Sequence, residues 1–170
     1  MDKELTLARL AETRQALHRA IQGLGMEEMT QIQVEGVWTI KDVLGHITSW
    51  EETCLEPFRR CAGGGPFQVD VIEDYVAWND QQAARKRDVP LDVILDELAA
   101  VRRGLVDAAR QLPPERWEQR VPFSWGGEGT IADVLDVFIQ HELEHVCAIQ
   151  RWGEGRVRGA GNVAHDPNRA

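Results

Sequence analysis

The sequence predicts an all-α protein: an antiparallel four-helix bundle with an aromatic loop before the last helix. Apolar residues recur at three- and four-residue spacing along the chain, which is the period of an amphipathic helix. Glycine and proline clusters separate these segments, and no alternating strand pattern stands between them. At 170 residues, 43% of them hydrophobic, the chain can bury one core. We expect one bundle domain over 1–152 and a flexible glycine-rich tail over 153–170.

The first two long helices are predicted over 3–23 and 39–61. Leucines and an isoleucine recur at helical spacing in the first segment. In the second, Thr39 is a favourable N-cap, and Asp42 stands three residues later, where the acidic partner of a capping box belongs. His46 lies on or beside the apolar stripe of this helix, so we expect it to face inward.

Further helices are predicted over 69–87, 91–111 and 130–152. The charged residues of 91–111, Arg102 among them, are interpreted as a solvated face. Two prolines end that helix, and the aromatic loop over 113–129 follows; we expect it to pack over one end of the fold.

The start of the last helix nearly repeats the start of the second. Thr130–Leu135 reads TIADVL, and Thr39–Leu44, 91 residues earlier, reads TIKDVL. Two explanations are open. The two helices could hold equivalent places in a bundle with pseudo-two-fold character, or they could share only a capping box that begins a buried helix.

The charge and cysteine content narrow the classes of function. A formal net charge of −9 disfavours nucleic-acid and anionic membrane partners. No run of residues approaches the length of a membrane span, and the first residues lack the apolar core of a signal peptide. Three cysteines without a CxxC spacing do not form a disulfide framework. These features predict a soluble cytoplasmic protein.

Two histidines stand four residues apart in the last helix. His141 and His145 therefore project from one helix face, and they match the His-Glu-x-x-His zinc signature of metalloproteases. The protease interpretation fails because Ala148 and Arg151 occupy the positions where the extended signature needs Gly and His. In addition, no sheet edge is predicted that could align a peptide.

Two interpretations of these histidines remain. They could converge with His46 on one metal ion, since neutral imidazole is a common ligand and three ligands leave a position open for catalysis. Alternatively, they could be core histidines that are hydrogen-bonded to Glu51, Glu144 or the backbone. His18 lies among polar neighbours in the first helix and is interpreted as a surface residue.

Three segments stand out: the helix start from Gly36 to Ile47, the Trp78-Asn79 pair and the His141-x-x-x-His145 pair. Together they resemble the DinB-like (YfiT-like) superfamily of four-helix bundles over about residues 5–152, and the stretch Glu35–Trp50 with Tyr75–Asn79 most resembles its ClbS/DfsB branch. The resemblance implies a divalent metal (Zn, Ni or Fe) held by His46, His141 and His145, and a homodimer. Relatives include thiol-dependent transferases and isomerases that use mycothiol, bacillithiol or glutathione, and hydrolytic resistance proteins.

The resulting hypothesis is a metal-dependent enzyme that acts on small molecules in detoxification or resistance, either as a hydrolase or as a transferase or isomerase with a low-molecular-weight thiol co-substrate. Glu142 or Glu144 would orient a ligand imidazole or move a proton. Trp50, Trp78 and Asn79 are the candidates for the pocket lining, although core packing also explains the last two. The alternatives are a metal-free bundle that binds or sequesters a small molecule, and a structural dimer.

Overall fold

The computed structural model describes the backbone of residues 2–163 and the side chains of residues 2–156. Along the chain the elements are α1 (Lys3–Ile21), α2 (Met26–Thr30), β1 (Gln33–Glu35), β2 (Trp38–Thr39), α3 (Ile40–Ala62), α4 (Tyr75–Lys86), α5 (Leu91–Gln111), α6 (Pro114–Trp117), β3 (Arg120–Pro122), β4 (Glu128–Thr130) and α7 (Ile131–Val163). None of the helices in the described part of the chain has the length and apolarity that crossing a membrane requires.

Four long helices form the bundle, which confirms the predicted fold class. Helix α3 packs mainly on α5, and α1 packs mainly on α7. Their apolar stripes bury leucines, isoleucines and aromatic residues against one another, including Leu10, Leu17, Leu44, Leu98 and Leu135. Burying each such side chain contributes about 1.5–3 kcal/mol before chain entropy is subtracted. Helix α4 lies outside this core on α3 and has no buried residue.

The order of elements repeats. Each half has a long helix, a short helix, a two-stranded antiparallel ribbon and a second long helix, and α4 lies between the halves. Both second helices begin with the same capping box. Asp42 N–H donates to Thr39 Oγ1 at 3.2 Å and Thr39 N–H to Asp42 Oδ2 at 2.9 Å; the Thr130–Asp133 pair does the same at 3.1 and 2.8 Å. The repeated sequence thus marks equivalent positions in two similar halves.

The structure contains two short helices, α2 and α6, and two ribbons that were not predicted, and the ends of α4 and α7 differ from the prediction. The ribbons were not predicted, because strands of two or three residues are too short to show alternation. The helix predicted from residue 69 begins at Tyr75; the preceding segment is extended, and Ile72 N–H donates to Ser124 O at 2.7 Å.

Helix α7 continues through Gly153 to Val163, beyond its predicted end near Trp152. Glycine costs about 1 kcal/mol per residue in a helix but does not forbid helical backbone, so the four glycines of this segment lower helix propensity without ending the helix. Residues 164–170, with His165, lie outside the described residues, and the flexibility expected for the tail stays a prediction.

Candidate metal centre

Three histidines from two helices meet inside the bundle. His46 comes from α3, and His141 and His145 come from successive turns of α7. His141 Nε2 lies 2.9 Å from His46 Nε2 and 3.1 Å from His145 Nε2, and the three ligand atoms lie within 4.8 Å of one another. The structure therefore brings together the three side chains that were predicted to converge.

Two of the three histidines, His46 and His141, are held in their neutral form near pH 7. Burial, and then the neighbouring His141 and His145, lower the pKa of His46 from its ordinary value of 6.5 to about 2. Burial and His145 lower the pKa of His141 to about 4. A neutral imidazole has a nitrogen lone pair to offer, which is what a metal ion requires.

Glu35 completes the cluster, although the sequence analysis did not identify it. Its Oε2 lies 2.7 Å from His145 Nδ1, so Nδ1–H donates to the carboxylate and Nε2 is turned toward the other histidines. Glu35 ends strand β1, and the ribbon turn at Gly36, where φ is +57°, places it over α7. Its only sequence signal was its position next to Gly36 and Trp38. In the described chain, neither Glu51 nor Glu144 hydrogen-bonds to an imidazole of this cluster.

The donor set fits a divalent transition metal. Nitrogen ligands about 2.0–2.1 Å from a tetrahedral zinc ion lie about 3.3–3.4 Å from one another. Two of the three separations here, 2.9 and 3.1 Å, are near this value, and all three atoms lie within 4.8 Å of one another. Soft or borderline metals favour imidazole nitrogen, and a carboxylate behind one ligand is a common arrangement in zinc sites. The residues that would hold the metal are His46, His141 and His145.

The histidines lie beside a cleft of about 540 Å³. His46 and His141 line it, together with Trp50, Tyr75, Asn79, Trp125, Asp136, Val137, Phe138, Gln140 and Glu144. Trp50 Nε1–H donates to Asn79 Oδ1 at 3.0 Å, which leaves the amide N–H groups of Asn79 as donors. Trp78 is absent from this lining and packs on Trp50, with ring centroids 4.5 Å apart. Two of the three predicted pocket residues therefore line the cleft directly.

Glu144 and Glu142 have different surroundings. Glu144 is exposed and lines the cleft, where it can exchange a proton with a bound molecule. Glu142 is fully buried and points away from the histidines, with its Oε1 2.6 Å from Arg14 Nε. The roles predicted for Glu142 do not fit this position. Burial alone would raise its pKa, but Arg102 and Arg14 outweigh burial and lower it.

Glu142 belongs to a buried ion cluster, which we define as Arg14, Glu51, Arg102 and Glu142. Arg102 was predicted to face solvent but is buried, because its partners come from distant parts of the chain. Glu51 accepts from Arg14 Nη2 at 3.1 Å and from Arg102 Nε at 3.1 Å. Arg102 Nη2 lies 2.9 Å from Glu142 Oε2, an ion pair outside hydrogen-bond angles.

The fold and the cleft define a four-helix bundle with a candidate three-histidine metal centre. A family model described as the DinB superfamily matches residues 9–149, so the chain belongs to the DinB superfamily. This confirms the resemblance at the level of the superfamily; the ClbS/DfsB branch stays a prediction. No curated protein matches the chain.

Solved structures of the same fold include an isomerase and a probable hydrolase. The mycothiol-dependent maleylpyruvate isomerase superposes with a TM-score of 0.74 at 13% identity, over 88% of this chain and 61% of the isomerase. A histidine-to-alanine mutant of the same isomerase gives 0.72 at 12% identity, with the same coverage. YfiT from Bacillus subtilis, described as a probable metal-dependent hydrolase with an unusual four-helix bundle topology, gives 0.70 at 15% identity, over 91% of this chain and 87% of YfiT. The chain thus spans about three fifths of the isomerase.

Proposed function

We propose that this protein is a metal-dependent enzyme that acts on small molecules. The observation that carries the proposal is the convergence of three imidazoles beside an aromatic cleft, with Glu35 hydrogen-bonded to His145. A divalent cation held by these nitrogens would lower the pKa of a thiol or water bound to it. We also propose, from the resemblance alone, a homodimer in the cytoplasm with a role in detoxification or resistance.

The chain's own residues supply the remaining functions. His46, His141 and His145 hold the ion, and Glu35 fixes the ring orientation of His145. Trp50 and Phe138 give the cleft an apolar wall that excludes water from a bound molecule. Glu144 is the carboxylate at the cleft that can accept or return a proton.

Two reaction types are compatible with this site. The described isomerase depends on mycothiol and YfiT is a probable hydrolase, so a thiol co-substrate and a water nucleophile each have a precedent on this fold. The cleft is large enough for a small electrophile next to the histidines. We propose an electrophile as substrate, with a low-molecular-weight thiol or water as the second reactant.

Elemental analysis of tag-free protein tests the metal. After incubation with Zn, Ni or Fe and removal of the excess, we expect about one ion per chain for three histidine ligands. His141→Ala should lose the ion and His18→Ala should keep it, because His18 is an exposed residue of α1. Circular dichroism checks that both variants fold. Folded wild-type protein that retains no metal would contradict the proposal.

Turnover assays then separate the reaction types. The metal-loaded protein is given an epoxide or an activated ester, with and without mycothiol, bacillithiol or glutathione. Thiol-dependent consumption indicates a transferase or isomerase, and ester cleavage without thiol indicates a hydrolase. Both should be lost in His141→Ala. Metal-loaded protein that binds these electrophiles without consuming any of them would instead support the non-catalytic binding bundle.

A further inference from the structure

The cleft beside the histidine cluster has two unlike walls. One is aromatic: the Trp50 and Trp125 rings lie 6.4 Å apart, and the Trp125 and Phe138 rings lie 5.7 Å apart, edge to face. Tyr75, on the peripheral helix α4, adds a fourth ring to the lining. Rings packed edge to face offer both apolar faces and ring edges, which favour an apolar aromatic molecule that packs among them.

The other wall is a polar row on α7. Asp136, Gln140 and Glu144 are spaced four residues apart, so they lie along one side of the helix, and all three line the cleft. Arg9 Nη1 lies 2.8 Å from Asp136 Oδ1 and partly offsets that charge. Among the described residues, no cation pairs with Glu144. The row therefore carries negative charge and hydrogen-bond acceptors toward the cleft.

No lysine or arginine is present among the described residues that line this cleft. A site that recognises a carboxylate or phosphate generally offers at least one such side chain, and arginine in particular pairs with these groups. The whole chain adds a formal charge of −9, which also disfavours the approach of anions. By contrast, aromatic faces and carboxylates together are a favourable environment for a cation.

We propose that the substrate of this cleft is an electrophile with an apolar aromatic body that carries an amine, and that the side chains of the cleft disfavour an organic anion. Its body packs among the rings of Trp50, Trp125 and Phe138, and its ammonium group is directed to Glu144. This inference rests on the proposed function, because it names the substrate class of the same site.

Three probes of one shape test the charge preference: 2-naphthylmethylamine, 2-naphthylmethanol and 2-naphthoate. Their dissociation constants are measured by calorimetry at constant pH, with metal-loaded and with chelator-treated protein. In chelator-treated protein the amine should bind about fivefold more tightly than the alcohol, as expected for one exposed charge pair, and the acid most weakly. Metal loading should strengthen binding of the acid, because the ion itself is positive.

Glu144→Gln should abolish the advantage of the amine and leave the affinity for the alcohol unchanged. Glu12→Gln, at an exposed position of α1 outside the cleft lining, should retain the full preference. Equal or tighter binding of the acid to chelator-treated protein would overturn the inference, and so would failure of all three probes to bind. Because these measurements need no metal, their result is separate from the test of the metal centre.

Discussion

Two polar clusters lie in the middle of this apolar bundle, on neighbouring faces of α3 and α7, and they differ in how their polar atoms are satisfied. In the ion cluster, two arginines and two glutamates neutralise one another, and the arginines also donate to the carbonyls of Leu98 and Leu10. In the histidine cluster, Glu35 accepts a hydrogen bond from Nδ1 of His145, while the three Nε2 atoms face only one another.

The difference indicates a structural role for the ion cluster and a functional role for the histidine cluster, although the two contain neighbouring residues. His141 and Glu142 are adjacent in sequence, yet one borders the cleft and the other is sealed in the core. A cluster whose charges balance internally needs no external ligand. Imidazole nitrogens that face only one another are better satisfied by a shared cation. The ion cluster therefore holds the helices together, and the histidine cluster is the candidate site.

The largest expected effect on stability comes from disrupting the ion cluster. Glu51→Ala leaves Arg14 and Arg102 buried with half of their negative partners, which should cost about 3–5 kcal/mol of unfolding free energy. Chemical denaturation with urea measures this loss. Glu52→Ala is the matched control: that side chain is exposed, 3.7 Å from Lys86, and should cost about 0–1 kcal/mol. Equal losses in the two variants would contradict the structural role.

The histidine cluster should instead stabilise the protein when metal is added. Zinc at about one hundred times its dissociation constant should stabilise the folded protein by about 2.7 kcal/mol, a rise in melting temperature of about 5–10 °C. Differential scanning calorimetry measures the shift. His46→Ala should abolish it and His18→Ala should preserve it. A shift of the same size in His46→Ala would mean that zinc binds elsewhere.

The Glu35 side chain should affect the affinity for metal more than the stability of the fold. Glu35→Gln removes the carboxylate that accepts from His145 Nδ1–H, so zinc affinity should fall by about 10–100-fold. Competition with a chromophoric chelator measures the affinity. Glu27→Gln, an exposed position of α2, should leave it unchanged. An unchanged affinity in Glu35→Gln would remove this carboxylate from the centre.

The smallest effect should appear in the pH dependence of the metal-free protein. The pKa of His46 is about 2 when folded and ordinarily 6.5, so below pH 6.5 the unfolded chain binds a proton that the folded chain does not. Stability should therefore fall with falling pH, by at most about 1.4 kcal/mol per unit for this group. Glu142, whose pKa is lowered, loses its contribution only below its ordinary 4.5.

Between pH 6.5 and 5, then, the slope comes from His46 and His141 rather than from Glu142. Urea unfolding with chelator, compared between wild-type protein and His46→Ala, should show a shallower slope in the variant. The same slope in both proteins would mean that His46 takes up a proton in the folded state.

The features that were predictable from sequence are those with a local signal. The capping boxes at Thr39 and Thr130 and the helical spacing of apolar residues predicted the bundle. The spacing of His141 and His145 predicted that these two side chains lie on one face of the last helix. Glu35 was missed because a short ribbon, with no strand signal of its own, carries it to α7. Arg102 and Glu142 were misassigned because their partners lie on other helices, and a buried charge cannot be told from a solvated one without its partner.

The ion cluster also bears on how the two halves are related. Arg14 and Leu10 precede Arg102 and Leu98 by 88 residues, and Glu51 precedes Glu142 by 91. The contacts of the two arginines are equivalent. Arg14 Nε donates to Glu142 and Arg102 Nε donates to Glu51. Each arginine also donates to the leucine carbonyl of the other half. A half-length chain carrying one such arginine and one such glutamate could form the same cluster by pairing with its own copy, as an isologous dimer does. The two halves of this chain differ at the histidine cluster, because the positions equivalent to His141 and His145 hold Trp50 and Cys54.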